Sequence, residues 1–269
     1  MSRVLPHVNV GIRVRDASLA LWLERMMACF GDVRDCAVLD FGSGSGHKAI
    51  LLALCGARVI AVEPDEAQSS QIRQAAERIG VEVEILAGGL ERLSELGDAT
   101  CDRILLAEVI EHLAPEGVRR LRGELARLLR PGGKIFLTTP NRVVKGPVEE
   151  SPEYYRRTPF GHHQHFTLAE LRDLFDRPPF HLANYVFETH PLTLARHRIF
   201  YPLARFDYTV QNTRRFPLLR LSLLPASALI YFSLEVAFPL LYGWQTAYEA
   251  RRASDEDGGM TIMIEVERA

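Results

Sequence analysis

The sequence predicts an α/β protein with a doubly wound, mostly parallel sheet of seven strands. Short apolar runs of strand length alternate with amphipathic helical segments, which is the pattern of repeated β-α-β units. The first apolar run ends in Asp40 and opens at once into three glycines at alternate positions, Gly42, Gly44 and Gly46. A turn of this kind lets the backbone approach a ligand closely at the edge of such a sheet.

Apolar runs and flanking turn residues define the strands and helices. The predicted strands are Cys36–Phe41, Ala57–Val62, Val81–Leu86, Asp102–Glu108, Lys134–Thr139, Phe180–Glu188 and Thr261–Glu267. One helix is expected at Ala17–Phe30, and a second begins directly after the glycine turn. Three more helices are expected at Asp65–Ile79, Pro115–Leu129 and Leu168–Phe175. Pro115 suits a first helical position, and Thr167 with Glu170 forms a capping box that opens the last of these helices.

Composition narrows the class of protein. A chain of 269 residues can bury one substantial core plus an elaboration. The net charge of -2 argues against a nucleic-acid partner held by bulk charge. The N-terminus lacks a secretion signal, and the cysteines are scattered through apolar surroundings, which is typical of a reducing compartment. We therefore expect a cytoplasmic protein.

The strand pattern divides the chain into four parts. Residues 1–35 are expected to form a helical cap, 36–190 the cofactor-binding core, 191–257 an insertion between strands six and seven, and 258–269 the final strand. The insertion is first basic and then strongly apolar. A single membrane crossing is excluded because the final strand must return to the same sheet. The insertion is therefore a lid over a hydrophobic acceptor, a peripheral membrane anchor, a homodimer surface or an extra helical layer.

Two carboxylates predict the kind of cofactor. Glu63 closes the second strand about twenty residues after the first glycine, the spacing at which an acid accepts the hydroxyls of a ribose. Asp40 lies beside the glycine turn, where it would repel the pyrophosphate of a dinucleotide and attract a cationic sulfur and an ammonium group. The sequence therefore favours S-adenosylmethionine over NAD or FAD.

These residues, together with Leu129-Arg-Pro-Gly-Gly-Lys134, resemble the class I S-adenosylmethionine-dependent methyltransferases over residues 36–190 and the last strand. The resemblance implies a Rossmann-like methyltransferase fold and an enzyme that transfers a methyl group. It implies cofactor contacts from Asp40, Gly42, Ser43, Gly44, Gly46, Glu63, Pro64, Gly89, Leu90 and Glu108. The family often has an acid directly after strand three; here Ala87-Gly-Gly-Leu-Glu91 follows, so we expect the backbone of Gly89 and Leu90 to contact the adenine.

A second cluster of functional residues follows strand four. Glu108, Glu111 and His112 lie there, and three histidines, His162, His163 and His165, precede the last core helix. If the turn after strand four is helical, Glu108, Glu111 and His112 share one face.

The Glu-x-x-Glu-His pattern resembles two methyltransferase branches, the ubiquinone-biosynthesis O-methyltransferases and the small-RNA 2'-O-methyltransferases. In these, the resemblance implies metal ligands at Glu108, Glu111 and His112, with His165 as a fourth ligand in the RNA branch and Mg²⁺ as the ion. Without a metal, His112, His163 or His165 is the expected general base. The predicted catalytic residues are His112, His165 and Glu108.

The preferred interpretation is O-methylation of a small, hydrophobic or lipid-linked acceptor, with peripheral membrane contact through residues 191–257. The first alternative is a metal-dependent RNA 2'-O-methyltransferase. The second is a non-catalytic scaffold that keeps the cofactor fold for assembly.

Overall fold

The computed structural model describes residues 17–144, 161–190 and 243–269, with side chains from residue 21 onwards. Most of the predicted insertion and the first half of the predicted N-terminal cap lie outside these ranges. Within the described ranges, none of the helices is both long enough and apolar enough to span a membrane.

The described residues form a seven-stranded sheet in the order β3-β2-β1-β4-β5-β7-β6. The strands are β1 Ala37–Phe41, β2 Arg58–Glu63, β3 Val83–Ala87, β4 Cys101–Ala107, β5 Leu129–Pro140, β6 Phe180–Glu188 and β7 Thr261–Arg268. Strands β1 to β5 pair in parallel, whereas β7 runs antiparallel to both β5 and β6. The predicted doubly wound, mostly parallel sheet is confirmed. The reversed direction of β7 was not predicted; it follows from β7 entering the sheet at the edge where β6 ends.

Helices cover both faces of this sheet. They are α1 Ala17–Phe30, α2 His47–Leu54, α3 Glu66–Ile79, α4 Pro115–Leu128 and α5 Leu168–Phe175, followed by α6, whose described part spans 243–251. Asp65 caps α3 by accepting the backbone N–H groups of Ala67 and Gln68, and the predicted capping box at Thr167 is formed. Strand β5 begins earlier than predicted because Leu129, before the Pro-Gly-Gly turn, pairs with Cys101 across a bulge.

Alternate strand residues point into two separate cores. Leu39, Ile104 and Leu137 pack on one face with α4 and α5. Val38, Leu105 and Phe136 pack on the other face with α1 and α2. Since both faces are covered, the edge formed by the carboxyl ends of the parallel strands is the place where such a sheet binds ligands.

The glycine turn that follows β1 is fixed by packing as well as by backbone conformation. Gly46 has a left-handed φ of 74°, and a Cβ atom there would lie 2.4 Å from Cγ1 of Ile72 in α3. Gly42 has a φ of 76°, and its Cβ would lie 2.6 Å from Cγ2 of Val109. Side chains are therefore excluded from both positions, which keeps the turn narrow and its backbone exposed to a ligand.

We expect Gly46→Ala to destabilise the fold by about 2–5 kcal/mol, because the left-handed backbone and the contact with Ile72 both oppose a side chain. Thermal unfolding measures this effect. The matched control is Gly123→Ala, because Gly123 lies inside α4 with open space around it. That change should stabilise the protein by about 0.5–1 kcal/mol. Equal melting temperatures for the two variants would contradict this account of the turn.

Candidate active site

The candidate site lies at the edge of the sheet where the parallel strands end. Strand β6 is antiparallel to β7, which is antiparallel to β5, so β6 ends at the same edge as β1, β2, β4 and β5. This edge brings together polar residues from six different strands and their connections: Asp40, Glu63, Glu108, Thr138, Glu188 and Thr261.

Asp40 is a buried acid at the start of the glycine turn. Its residue is 1% exposed, and its Oδ2 atom accepts no hydrogen bond from the described residues. The pKa of Asp40 is raised to about 6, mainly by burial; the Lys48 ammonium opposes this rise, and the nearby Glu63 adds to it. A buried carboxylate oxygen without a donor is a favourable position for a cationic group of a ligand.

Glu63 is held at the same turn by two backbone donors. Its Oε2 accepts the Gly44 N–H at 2.7 Å, and its Oε1 accepts the Asp65 N–H at 3.0 Å. The predicted ribose-binding acid therefore lies directly against the predicted glycine turn. Asp40 and Glu63 together make this part of the edge acidic, which suits a cationic ligand and disfavours a diphosphate.

The end of β3 differs from the expectation for adenine binding. The Gly89 N–H, which we predicted would face the cofactor, donates instead to Oε1 of Glu91 at 2.7 Å. This hydrogen bond holds the pKa of Glu91 below its usual value. Glu91 therefore places a carboxylate near the end of β3. The resembled family often has an acid directly after this strand, and this sequence has none at that position. No role was predicted for Glu91, although it lies only two residues beyond Gly89.

A cavity of about 260 Å³ opens at the other end of the edge. Its lining comes from α1, α2 and the ends of four strands: Trp22, His47, Lys48, Ala107, Glu108, Thr138, Glu188, Thr189, Thr261 and Met263. The Lys48 Nζ atom lies 5.1 Å from the ring centroid of Trp22, a cation–π contact that places a positive charge in the cavity. Burial, with a smaller contribution from Lys48, lowers the pKa of His47, so its imidazole is neutral at physiological pH.

Glu108 joins the cofactor end of the edge to this cavity. It follows β4 directly and has a left-handed φ of 59°, which is rare for a residue with a side chain. Only Ile110–His112 are helical beyond it, and they form a short 3-10 helix. The turn is therefore not helical at Glu108, so the condition under which Glu108, Glu111 and His112 would share one helical face is not met. The reversed backbone at Glu108 takes its side chain out of helical register with the other two.

Glu111 is a fully buried acid behind Glu108. Its Oε2 accepts a hydrogen bond from the Thr139 hydroxyl at 3.0 Å. Burial and the adjacent, hydrogen-bonded Glu108 carboxylate raise the pKa of Glu111 far above its usual range. The Glu111 carboxyl group is therefore protonated at neutral pH.

The histidine loop packs against the short helix at Ile110–His112. Glu111, His112 and His162 each offer one ligand atom, and these atoms lie within 4.8 Å of one another. His165 lies behind them, with its Nε2 atom 3.0 Å from Nδ1 of His162. The structure thus brings Glu111 and His112 together with His162, a histidine that the predicted metal set did not include. The predicted set of Glu108, Glu111, His112 and His165 remains a prediction.

His112 and the three histidines of this loop do not line the 260 Å³ cavity described above. His163 is tied to the short helix instead, because its N–H donates to the Glu111 carbonyl at 2.7 Å. Catalytic roles for His112 and His165 also remain predictions. The cavity-lining residues Trp22, Lys48, Glu188 and Thr189 were missed, since their spacing in the sequence carries no signal that they meet.

Comparisons with known proteins agree with this geometry. The methyltransferase domain family matches residues 39–137. A probable S-adenosylmethionine-dependent methyltransferase of Mycolicibacterium smegmatis is 34% identical over 158 residues, which cover 59% of this chain and 57% of that protein. A ubiquinone biosynthesis O-methyltransferase of Rhizobium etli is 34% identical over 140 residues, 51% of this chain and 55% of that protein. The matches therefore span a little over half the length of these two relatives.

A solved S-adenosylmethionine-dependent methyltransferase from Archaeoglobus fulgidus shares the fold. Its TM-score is 0.58 over 94% of each chain, at 16% sequence identity. The domain match, the glycine turn with its two acids and the strand order all lead to the same family. Residues 39–137 of this chain therefore form a methyltransferase domain, in a sheet with the class I S-adenosylmethionine-dependent methyltransferase fold.

Proposed function

We propose that this protein transfers the methyl group of S-adenosylmethionine to an oxygen atom of a small, hydrophobic or lipid-linked acceptor. The observation that carries the proposal is the buried, acidic glycine turn at Asp40 beside a cavity that is partly apolar and partly polar. Similarity to the ubiquinone biosynthesis O-methyltransferase of R. etli supports oxygen as the acceptor atom.

The residues of the cofactor site fit this molecule. When bound, S-adenosylmethionine supplies a methyl group on a positively charged sulfur, which is an excellent leaving group. Asp40 and Glu63 give the turn the negative potential that suits the cationic end, and Glu63 is fixed where it can accept ribose hydroxyls. Because the chemistry asks for little acid–base assistance, these residues act mainly by holding the reacting groups in line.

The cavity fits the proposed acceptor class by size and lining. Its volume of about 260 Å³ suits a ring or head group, not a long chain. Trp22 and Met263 provide apolar walls, while the hydroxyl groups of Thr138, Thr189 and Thr261 offer hydrogen bonds to a polar acceptor. The apolar sequence of the insertion supports a hydrophobic or membrane-associated remainder of that molecule.

The function is tested by incubating the protein with methyl-labelled S-adenosylmethionine and separate lipid, small-molecule and RNA fractions of a cell extract. We expect label in the lipid or small-molecule fraction, and its transfer should persist in EDTA. Asp40→Asn is the negative control, since it removes the charge at the cofactor turn. Label confined to RNA would overturn the proposed acceptor. Tight cofactor binding without label in any fraction would favour the scaffold alternative.

The pKa of Asp40 predicts how cofactor affinity depends on pH. Below about pH 6 Asp40 is protonated in the free protein, so a cationic ligand must first displace that proton. The affinity for S-adenosylmethionine should be constant above pH 7 and fall about tenfold per unit below pH 6. Calorimetry in buffers from pH 5 to 8 measures this dependence. In Asp40→Asn the dependence should be lost; an unchanged pH profile in that variant would assign it to another group.

A second candidate function is a metal-dependent RNA 2'-O-methyltransferase, favoured by the cluster of Glu111, His112 and His162. One carboxylate and two imidazoles suit Mn²⁺, Fe²⁺ or Zn²⁺ better than Mg²⁺, which prefers oxygen ligands. When bound, such an ion would lower the pKa of an acceptor hydroxyl. His165 would then support the cluster through its contact with His162.

Metal binding is tested by titrating Mn²⁺ and Zn²⁺ into the metal-free protein by calorimetry. If the cluster is a metal site, His162→Ala should weaken binding by about tenfold or more. The matched control is His181→Ala, because His181 is an exposed histidine on β6 that pairs with Asp176 and does not belong to the cluster. A wild-type protein that binds neither ion, or a His162→Ala variant that binds both equally well, would exclude this site.

A further inference from the structure

Two residues that line the cavity have a backbone conformation that side chains disfavour. Glu108, directly after β4, has a φ of 59°, and Thr189, directly after β6, has a φ of 62°. Threonine is β-branched, so this conformation is especially unfavourable for Thr189. Strained residues of this kind persist where the surrounding structure holds them, and they concentrate at functional sites. Both residues lie in the wall of the cavity, at the ends of β4 and β6, so these two strand ends are candidates for a functional role.

Glu188, the neighbour of Thr189, is a buried acid in the same cavity. It is 5% exposed, and it forms an ion pair through Oε1 with the Arg25 guanidinium of α1. Glu249 of α6 lies close enough to repel it. Burial of a carboxylate next to a second acid opposes folding, and a single ion pair seldom offsets that cost. Packing alone therefore does not account for an acid at this position.

We propose that Glu188 binds the methyl acceptor: its carboxylate accepts a hydrogen bond from the hydroxyl group that is methylated and then receives its proton. This inference rests on the proposed function, since it assigns the acceptor contact of the same site. Arg25 pairs with the carboxylate from the α1 side, and Thr189, with its left-handed backbone, follows Glu188 in the wall of the cavity.

The resulting step is balanced. The acceptor oxygen forms a bond to the methyl carbon while the carbon–sulfur bond breaks and leaves its electron pair on sulfur. The hydroxyl proton passes to the Glu188 carboxylate and later to water. Burial raises the pKa of Glu188 to about 7, with Arg25 opposing and Glu249 adding to the rise, which suits a base at neutral pH. The other ionisable groups near it are His190 on the α6 side and His47, Lys48 and Glu108 in the cavity.

Glu188 fits this role better than the second acid of the cavity. Glu108 is hydrogen-bonded to the buried Glu111, whose raised pKa keeps the Glu111 carboxyl group protonated. Glu188 instead is paired with the Arg25 guanidinium, which orients its carboxylate and opposes the rise of its pKa. If Glu188 binds the hydroxyl group, the acceptor is a ring or head group whose hydroxyl points towards β6. Its apolar part would then contact Trp22 and Met263.

The proposal is tested with 4-decylcatechol, titrated by calorimetry at pH 8 into protein saturated with S-adenosylhomocysteine, so that binding is read without turnover. We expect the wild type to bind this probe and Glu188→Gln to bind it about tenfold more weakly or worse. The affinity of Glu188→Gln for S-adenosylhomocysteine should stay within about twofold of the wild type, which also shows that the variant is folded. Glu188→Asp should restore part of the probe affinity.

Glu267→Gln is the matched control, because Glu267 is also a strand glutamate paired with a cation, Lys134 at 3.1 Å, but does not line the cavity. It should bind the probe as the wild type does. In methylation assays with the probe at saturating S-adenosylmethionine, the wild-type kcat/KM should fall between pH 8 and pH 6, and this fall should be absent in Glu188→Gln. Wild type that does not bind the probe, or Glu188→Gln that binds it normally, would overturn the proposal. Failure of the proposed function would look different: the probe would bind, but no label would be transferred to it.

Discussion

The buried carboxylate of Asp40 is the constraint on which the rest of the site depends. It lies at the end of β1 with an oxygen that no described residue satisfies, beside a turn whose glycines have no room for side chains. Leaving a carboxylate oxygen buried without a donor costs free energy, so this position favours a ligand that brings positive charge to it. The acid at Glu63 strengthens this arrangement by adding a second negative charge to the same turn.

The edge of the sheet brings this carboxylate together with the other residues of the candidate site. Because the parallel strands end at one edge, Asp40 and Glu63 lie on one side of Glu108, and the cavity that reaches Glu188 lies on the other. The negative charges of the cofactor turn are thus separate from the cavity, where Lys48 provides a positive charge and Trp22 an aromatic surface. In the proposed function the cofactor and the acceptor would meet at Glu108, which has a left-handed backbone conformation.

The parts of the site that the sequence predicts are those encoded locally. The glycine turn, Asp40 and Glu63 follow from short-range spacing, and the capping box at Thr167 begins a helix where expected. The left-handed conformation of Glu108 could not be predicted, because neither Glu108 nor Val109 is a glycine or another residue typical of turns. The meeting of Trp22, Lys48 and Glu188 depends on how α1, α2 and β6 pack, which no local pattern specifies. His162 was missed for the same reason: three histidines lie in one loop, and only packing decides which of them faces Glu111.

The central claim is that a carboxylate at the turn selects a cationic sulfur compound over an anionic one. Calorimetry at pH 8 with S-adenosylmethionine, neutral-sulfur S-adenosylhomocysteine and NADH, on the wild type and on Asp40→Asn, tests this most directly. The account predicts that the wild type binds the first compound, rejects NADH, and loses about tenfold or more of its preference for the charged sulfur in the variant. Wild-type protein that binds NADH but neither sulfur compound would contradict it.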